Sequence, residues 1–172
     1  MTISVRPIYE KEDDAVYQMF QDIPAEENYA QNKANGLSRD EFDEYCKLQV
    51  SYAKTEGLPA DRVPQTLYII FDDATPVGFG KFRPFLNADC IKRKVGNLAY
   101  MISPKHRHKG YATAFIAFLI TKAQELGLTE LEAATLQDNI FSQKTIEKNG
   151  GKIKEIDNGH AVYTIPVNQK TR

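Results

Sequence analysis

The feature that most limits the fold lies between residues 97 and 136, where patterns typical of a strand, a long helix and a second strand follow one another. Residues 97–102, NLAYMI, predict a strand that Ser103 and Pro104 bring to an end. From Gly110 to Leu126, apolar residues recur at the spacing of an amphipathic helix. Residues 130–136, ELEAATL, predict the next strand. Such a strand–helix–strand unit is expected to form a right-handed parallel crossover.

The rest of the chain adds antiparallel strands and flanking helices. Further strands are predicted at residues 2–6, 66–71, 77–85, 152–156 and 161–167, and further helices at 10–21, 38–55 and 139–149. Residues 22–36 and 87–94 are polar and are predicted to be loops. The predicted fold class is α+β, with a mixed, mostly antiparallel central sheet, in one domain of residues 1–172.

The segment before the long helix is rich in cations. Residues 103–115 read SPKHRHKGYATAF. The first N–H groups of a helix have no partner within it, and the helix dipole favours an anion there. Arg107 and Lys109 add positive charge, Gly110 permits a close approach of the backbone, and Ala112 and Thr113 keep the next turn small. We therefore predict a phosphate site here. Neither GxxxxGK[ST] nor GxGxxG is present, so a solvated basic loop stays the alternative interpretation.

Composition and charge narrow the class of protein. The 172 residues contain no apolar run of about 20 residues and no signal-peptide pattern, so we expect a cytoplasmic protein without membrane contact. Cys46 and Cys90 stand in no metal-binding pattern, and we expect no metal. Residues 1–61 hold 13 Asp/Glu and 6 Lys/Arg, a net charge of −7, whereas residues 62–172 have a net charge of +6. This asymmetry suggests a basic substrate on one side and an anionic ligand on the other.

A second segment allows a family to be suggested. Residues 139–151 read NIFSQKTIEKNGG, one strand after the basic loop. Together, the strand, the Arg107-x-x-Gly110-x-Ala112 loop, the long helix and this segment resemble the acetyl-CoA-binding core of the GNAT (GCN5-related) N-acetyltransferase family, in a bacterial subgroup of predicted acetyltransferases. The resemblance implies transfer of the acetyl group of acetyl-CoA directly to an amine.

The resemblance also implies where acetyl-CoA binds. The strand before the basic loop would splay from its parallel neighbour and pair its main chain, at Met101 and Ile102, with the pantetheine arm. Asn139 would hydrogen-bond the same arm, and Ser142 would lie near the thioester. The diphosphate would lie on the amides of the loop and first helical turn, which comprise Arg107, His108, Lys109, Gly110, Tyr111, Ala112 and Thr113. The side chain of Tyr111 has core packing as its alternative role.

The catalytic groups are less well marked. The main-chain N–H of Met101 or Ile102 is the candidate donor to the oxyanion. Many family members have a tyrosine where this chain has Ile146, so Ser142 or a water is left to protonate the thiolate. Asn97 is a candidate for holding a water.

The acceptor side of the reaction depends on the loop at residues 22–36. Glu26 and Glu27 are candidates for binding a cationic amine or accepting its proton, and exposed loop acids are their alternative interpretation. The acidic first third favours a small cationic amine as acceptor. The alternative is a non-catalytic acyl-CoA-binding or sensor protein. No nucleic-acid partner is expected, because the basic residues are not interleaved with aromatic residues. A homodimer is a further expectation.

Overall fold

The computed structural model describes residues 1–168. The strands are β1 (Ile3–Pro7), β2 (Glu26–Glu27), β3 (Ala30–Gln31), β4 (Thr66–Asp72), β5 (Thr75–Phe82), β6 (Leu98–Ile102), β7 (Glu130–Leu136), β8 (Lys152–Asp157) and β9 (His160–Pro166). The helices are α1 (Asp14–Asp22), α2 (Arg39–Tyr52), α3 (Ala88–Lys92), α4 (Tyr111–Glu125) and α5 (Ile140–Lys148), with a 3₁₀ turn at Pro104–His106.

Two antiparallel sheets make up the centre of the fold. Strands β1, β4, β5 and β6 pair in that order, and β7, β9 and β8 pair in a second sheet. Helix α4 connects β6 to β7, which is the predicted strand–helix–strand unit. The α+β class with a mostly antiparallel sheet and flanking helices is confirmed.

Apolar layers cover both faces of the first sheet. One cluster packs α1 and α2 against β4, β5 and β6 through residues that include Phe20, Phe42, Phe79 and Met101. The other cluster packs α4 and α5 against both sheets, with Phe115 at its centre. Alternate residues of β6 therefore face opposite helical layers, as the period of two in a strand requires.

The two sheets meet at Asn97, the residue just before β6. Its N–H donates to Glu132 O at 2.8 Å, and its side-chain Oδ1 accepts from Glu132 N–H at 2.7 Å. Its Nδ2 donates to Arg83 O at 2.9 Å. Gly96 allows this approach, because a Cβ there would lie 2.4 Å from Glu132 O. Beyond this joint, β6 and β7 share no ladder within residues 1–168, so a gap opens between them.

Two predicted loops contain short regular elements. Residues 22–36 include the β2–β3 hairpin, and residues 87–94 include α3. Helix α3 forms because the Asn87 side chain accepts from the Cys90 N–H at 2.9 Å, while Cys90 itself is buried. Five residues give too short a periodic pattern for a sequence-based prediction.

Three smaller expectations concern membrane contact, the two cysteines and self-association. In residues 1–168, no helix is long and apolar enough to cross a membrane. Cys46 and Cys90 are both buried free thiols. Strand β8 forms an edge of its sheet and exposes Ile153 and Ile156, and such an edge can pair with another chain. The expected homodimer stays a prediction.

The joint at Asn97 leads to a first prediction. Asn97→Ala leaves the Glu132 N–H and the Arg83 carbonyl without their partners in a buried position, which is expected to lower the free energy of unfolding by about 2 kcal/mol. Urea denaturation measures this loss. Ser4→Ala, on an exposed position of β1, is the control and is expected to change stability by less than about 0.5 kcal/mol. Equal midpoints for the two variants would show that the joint contributes little.

Candidate active site

The hydrogen bonds between β5 and β6 show which main-chain groups of β6 are already used. Ser103 N–H donates to Val77 O at 2.8 Å, and Arg83 N–H donates to Asn97 O at 2.7 Å. The register between these bonds is continuous, and hydrogen-bonded pairs alternate along an antiparallel ladder. Met101 therefore uses its main-chain groups toward β5. This corrects the prediction that its N–H faces an oxyanion and its main chain pairs with pantetheine.

Tyr100 and Ile102 occupy the alternate positions, so their main-chain groups point into the gap beside β7. The Ile102 carbonyl accepts a hydrogen bond from Arg107 Nε at 3.2 Å. The Ile102 N–H is left facing the gap. Of the two main-chain donors considered from the sequence, only Ile102 has the geometry to serve a ligand there.

The amino end of α4 lies beside this gap and carries unpaired amides. Each of α1, α2, α3 and α5 has a side-chain N-cap, whereas α4 begins at Gly110, which has none. Gly110 has φ +87°, a conformation that suits glycine. The N–H groups of Tyr111, Ala112 and Thr113 consequently have no acceptor inside the helix. These amides are free to bind an anion, and the phosphate site at this helix end stays a prediction.

Arg107 is held by the protein itself. Its Nη2 donates to Glu27 Oε2 at 2.6 Å, in addition to the bond from Nε to the Ile102 carbonyl. This corrects the picture in which Arg107 offers a free fork to a diphosphate and Glu27 is free for an amine. Lys109 and His108 are exposed, and Lys109 forms no ion pair within residues 1–168. Lys109 is therefore the unpaired cation of this loop.

The second predicted segment lies next to the first. Asn139 is the N-cap of α5 and accepts from the Ser142 N–H at 3.3 Å. The rings of His108 and Phe141 have centroids 4.5 Å apart, which joins the loop before α4 to the start of α5. The Asn149 side chain also donates to Thr113 O at 3.2 Å. The two segments thus form one wall of the gap.

A pair of hydroxyl groups joins β6 to α5. Tyr100 Oη and Ser142 Oγ are 2.8 Å apart, with Tyr100 on β6 and Ser142 on α5. Burial raises the pKa of Tyr100, and its hydrogen bonds to Ser142 and Thr145 partly offset this effect. The phenol therefore keeps its proton at neutral pH. Ile146 is 1% exposed and belongs to the core, so α5 itself presents no phenol to the gap.

Residues 3–152 match a family model for the acetyltransferase (GNAT) domain. The chain belongs to the GNAT acetyltransferase family. A comparison with curated proteins gave no significant match.

Solved structures of GNAT N-acetyltransferases share the fold. An N-acetyltransferase from Staphylococcus aureus Mu50 aligns with a TM-score of 0.63 at 16% identity, covering 98% of this chain and 100% of that one. RimL, a ribosomal L7/L12 alpha-N-protein acetyltransferase in complex with coenzyme A, gives 0.69 at 15% identity and 96% and 94% coverage. Campylobacter jejuni PseH with acetyl coenzyme A gives 0.62 at 13%, covering 97% and 100%. At these identities the likeness concerns the fold alone.

The structure also defines the surroundings of three other residues in this GNAT domain. Asn97 uses both ends of its side chain in the joint, so the structure corrects its assignment as a holder of catalytic water. The Tyr111 side chain is buried and donates to Asp72, in agreement with core packing. His160 packs against the Tyr29 ring with centroids 4.5 Å apart, and both its ring nitrogens are buried without a hydrogen-bond partner among residues 1–168.

Sequence reasoning missed a lysine on the opposite face of the sheet from α4. Lys81 pairs with Ala99 of β6 and shares the face of Phe79, which packs toward α1 and α2. Burial and, to a smaller extent, the nearby charges of Arg83, Lys33 and Arg62 together lower the pKa of Lys81 to about 8. The alternation of VGFGKF, residues 77–82, was the signal that places Lys81 with Phe79.

Within residues 1–168, no cluster of three or more His, Cys, Asp or Glu side chains is suited to a metal.

The lowered pKa of Lys81 gives a second prediction. Acetic anhydride reacts with a neutral amine, and at pH 8 about half of Lys81 is neutral, against well under 1% of a lysine with an ordinary pKa of about 10.4. Competitive labelling at pH 8, followed by mass spectrometry, is expected to show higher reactivity at Lys81 than at exposed Lys152. This excess should diminish above pH 10, where the ordinary lysines also lose their proton. Equal labelling at pH 8 would contradict the altered environment of Lys81.

Proposed function

We propose that this GNAT domain transfers the acetyl group of acetyl-CoA directly to a primary amine. The observation that carries the proposal is the gap between β6 and β7, which has uncapped amides of α4 at one end and the hydroxyl pair of Tyr100 and Ser142 beside it. The complexes of PseH with acetyl coenzyme A and of RimL with coenzyme A, in the same fold, support this choice of ligand.

In this proposal, the diphosphate lies on the main-chain amides of residues 107–113, with Lys109 as the adjacent charge. The pantetheine arm enters the gap, where Ile102 presents main-chain groups and the Asn139 amide nitrogen is available. The thioester then lies near Ser142. Arg107 acts indirectly, because it holds the Ile102 carbonyl and Glu27 in place.

The chemistry needs three groups. The neutral amine nitrogen attacks the thioester carbonyl carbon, and the Ile102 N–H stabilises the oxyanion that develops. As the tetrahedral intermediate collapses, the nitrogen loses one proton to water and the carbon–sulfur bond breaks. The departing thiolate receives a proton from the Tyr100–Ser142 pair, which bulk water then replaces. Tyr100 thus supplies, from β6, the phenol that Ile146 cannot supply from α5.

The proton of the incoming ammonium needs an acceptor. Glu27 is engaged by Arg107, whereas Glu26 is exposed and forms no ion pair within residues 1–168. Glu26 is therefore the carboxylate of the pair that we retain for this role. The same hairpin places Tyr29 against His160, so the loop at residues 22–36 forms part of the acceptor side.

The idea of a cationic acceptor loses its original support. It depended on the acidic first third of the chain, yet six of those 13 acids form ion pairs, and Asp13 and Glu41 cap helices. These acids are satisfied within the fold, so they do not define the charge of the acceptor. That charge has to come from the groups around the gap itself.

A third prediction tests the proposed function. Isothermal calorimetry is expected to show acetyl-CoA binding, and primary amines are expected to accelerate thiol release from it. Lys109→Glu sets a carboxylate near the diphosphate and is expected to weaken acetyl-CoA binding about tenfold or more. Lys152→Glu, an equal charge change on β8, is the control and should leave the affinity unchanged.

The outcomes separate the enzyme from its alternative. Acetyl-CoA binding without acceleration by any member of a broad amine panel would favour a non-catalytic acyl-CoA-binding or sensor protein, the role suggested by Ile146. Equal affinities of the Lys109→Glu and Lys152→Glu variants would contradict the placement of the diphosphate at α4.

A fourth prediction concerns the hydroxyl pair. Tyr100→Phe is expected to lower kcat about a hundredfold, because general acid catalysis commonly contributes this much. Ser142→Ala is expected to lower kcat as well, and the double variant should lose less than the sum of the two effects, since both groups act on one proton. Tyr163→Phe is the matched control, because its hydroxyl donates to Glu147 elsewhere on α5. Unchanged kcat in Tyr100→Phe would remove Tyr100 from the mechanism.

A further inference from the structure

Lys81 and Arg83 lie two residues apart on the face of the sheet opposite α4, and two loop cations, Lys33 and Arg62, act on the same charge. Arg83, Lys33 and Arg62 are close enough to Lys81 to act on its charge, and no carboxylate is among the groups that do so. Within the described residues 1–168, none of the four forms an ion pair, although nine other Lys and Arg side chains do. We call these four residues the Lys81 cluster.

The cluster is built into the fold at several points. Arg83 Nη1 donates to the Gly96 carbonyl at 3.1 Å, beside the joint between the sheets. The Arg62 guanidinium lies over the Tyr52 ring, 4.5 Å from its centroid. Lys81 is half-buried, and its amine forms no hydrogen bond within the described part of the chain. Arg83 and Arg62 are thus held in place, whereas Lys33 is an exposed loop residue, and cations beside an unpartnered amine are an arrangement to which an anion can bind.

The position of Lys81 relates the cluster to the proposed reaction. Lys81 is opposite Ala99, three residues before Ile102 on β6. A strand rises about 3.3 Å per residue, so Ala99 and Ile102 lie about 10 Å apart along the strand. Lys81 faces the layer of α1 and α2, whereas α4 and its free amides lie on the other side of the sheet. A molecule that reaches the thioester from the α1–α2 side would pass Lys81.

The cost of this arrangement indicates a ligand. Removing an ammonium group from water without a counter-charge is unfavourable, and three further cations increase the cost. Such uncompensated groups tend to occur at functional sites. The lowered pKa of Lys81 has the same two causes, burial and the neighbouring cations. A bound anion would supply the charge that the fold leaves out.

We propose that the acceptor is a small primary amine that also carries an anionic group, and that Lys81 binds this group together with Arg83, Lys33 and Arg62. The amine of the acceptor then lies toward Ile102, and its carboxylate or phosphate lies toward Lys81. This inference rests on the acetyl transfer proposed above, and it replaces the cationic acceptor expected from the sequence. The same anion chemistry is offered by the phosphates of acetyl-CoA, so the experiment has to separate the two sources.

The first experiment tests the anion site without an acceptor. Wild-type protein is labelled with acetic anhydride in chloride, in acetate and in inorganic phosphate at equal pH and ionic strength. Acetate or phosphate is expected to protect Lys81 several-fold relative to chloride, with Lys152 unchanged. Absence of protection by both anions would overturn the proposal, whatever the protein does with acetyl-CoA. Full protection of Lys81 by acetyl-CoA alone would also overturn it, because the cluster would then serve the acetyl donor.

The second experiment uses amines that differ only in the anionic group, such as phosphoethanolamine with ethanolamine and an amino acid with its amide. The wild type is expected to prefer the anionic member in kcat/KM. Lys81→Met, which keeps the apolar stem, should raise KM for the anionic member roughly tenfold or more, as the loss of a charged hydrogen bond does, and leave the neutral member unchanged. Lys152→Met is the control.

The two proposals fail in different ways. Equal turnover of both members of each pair, or an equal effect of Lys81→Met on both, would overturn the anionic acceptor while acetyl transfer stands. Protection of Lys81 by acetate or phosphate, together with no turnover of any amine, would support the anion site and contradict the proposed acetyl transfer. The preferred member of the panel then distinguishes a carboxylate from a phosphate.

Discussion

One buried amide side chain determines where the two sheets meet and where they part. Asn97 binds the main chain of Glu132 on one side and of Arg83 on the other, so β6 is tied to both sheets at its start. After this joint, no ladder pairs β6 with β7 within residues 1–168, and the main-chain N–H of Ile102 faces the gap, while its carbonyl accepts from Arg107. A gap with polar backbone along one wall is costly unless it is filled by solvent or a ligand. The gap that opens where β6 and β7 diverge is therefore expected to be a binding groove.

The helix amino ends also differ in whether their free main-chain N–H groups have a side-chain acceptor. Asp13, Ser38, Asn87 and Asn139 each cap a helix with a side chain, whereas α4 begins at Gly110. A side-chain cap at that position would compete with any anion for the same amides. Because α4 begins where the gap opens, the uncapped end and the unpaired strand act on the same ligand.

Much of this arrangement follows from local sequence patterns, and the rest depends on contacts between distant residues. The order of long strands and helices, the Gly110 helix start and the Asn139 cap are set by residues close in sequence, so they were predictable. The Met101 assignment was wrong because alternation alone does not reveal which edge of β6 is paired. The Arg107–Glu27 contact joins residues 80 positions apart, and the Tyr100–Ser142 contact joins residues 42 apart, so neither has a local signature.

The net charge of a segment is another sequence property that does not reveal contacts between distant residues. A net charge of −7 over residues 1–61 describes composition, but the field at a site depends on which charges are neutralised nearby. Salt screens exposed charges beyond about 10 Å, so distant surface acids contribute little to a groove. Five of those 13 acids pair with Arg6, Arg39, Lys105 and Arg107, whereas Lys81 is half-buried and no carboxylate is among the groups that act on its charge. In the proposed acceptor site, the unpaired cations next to β6 therefore matter more than the net acidic charge of residues 1–61.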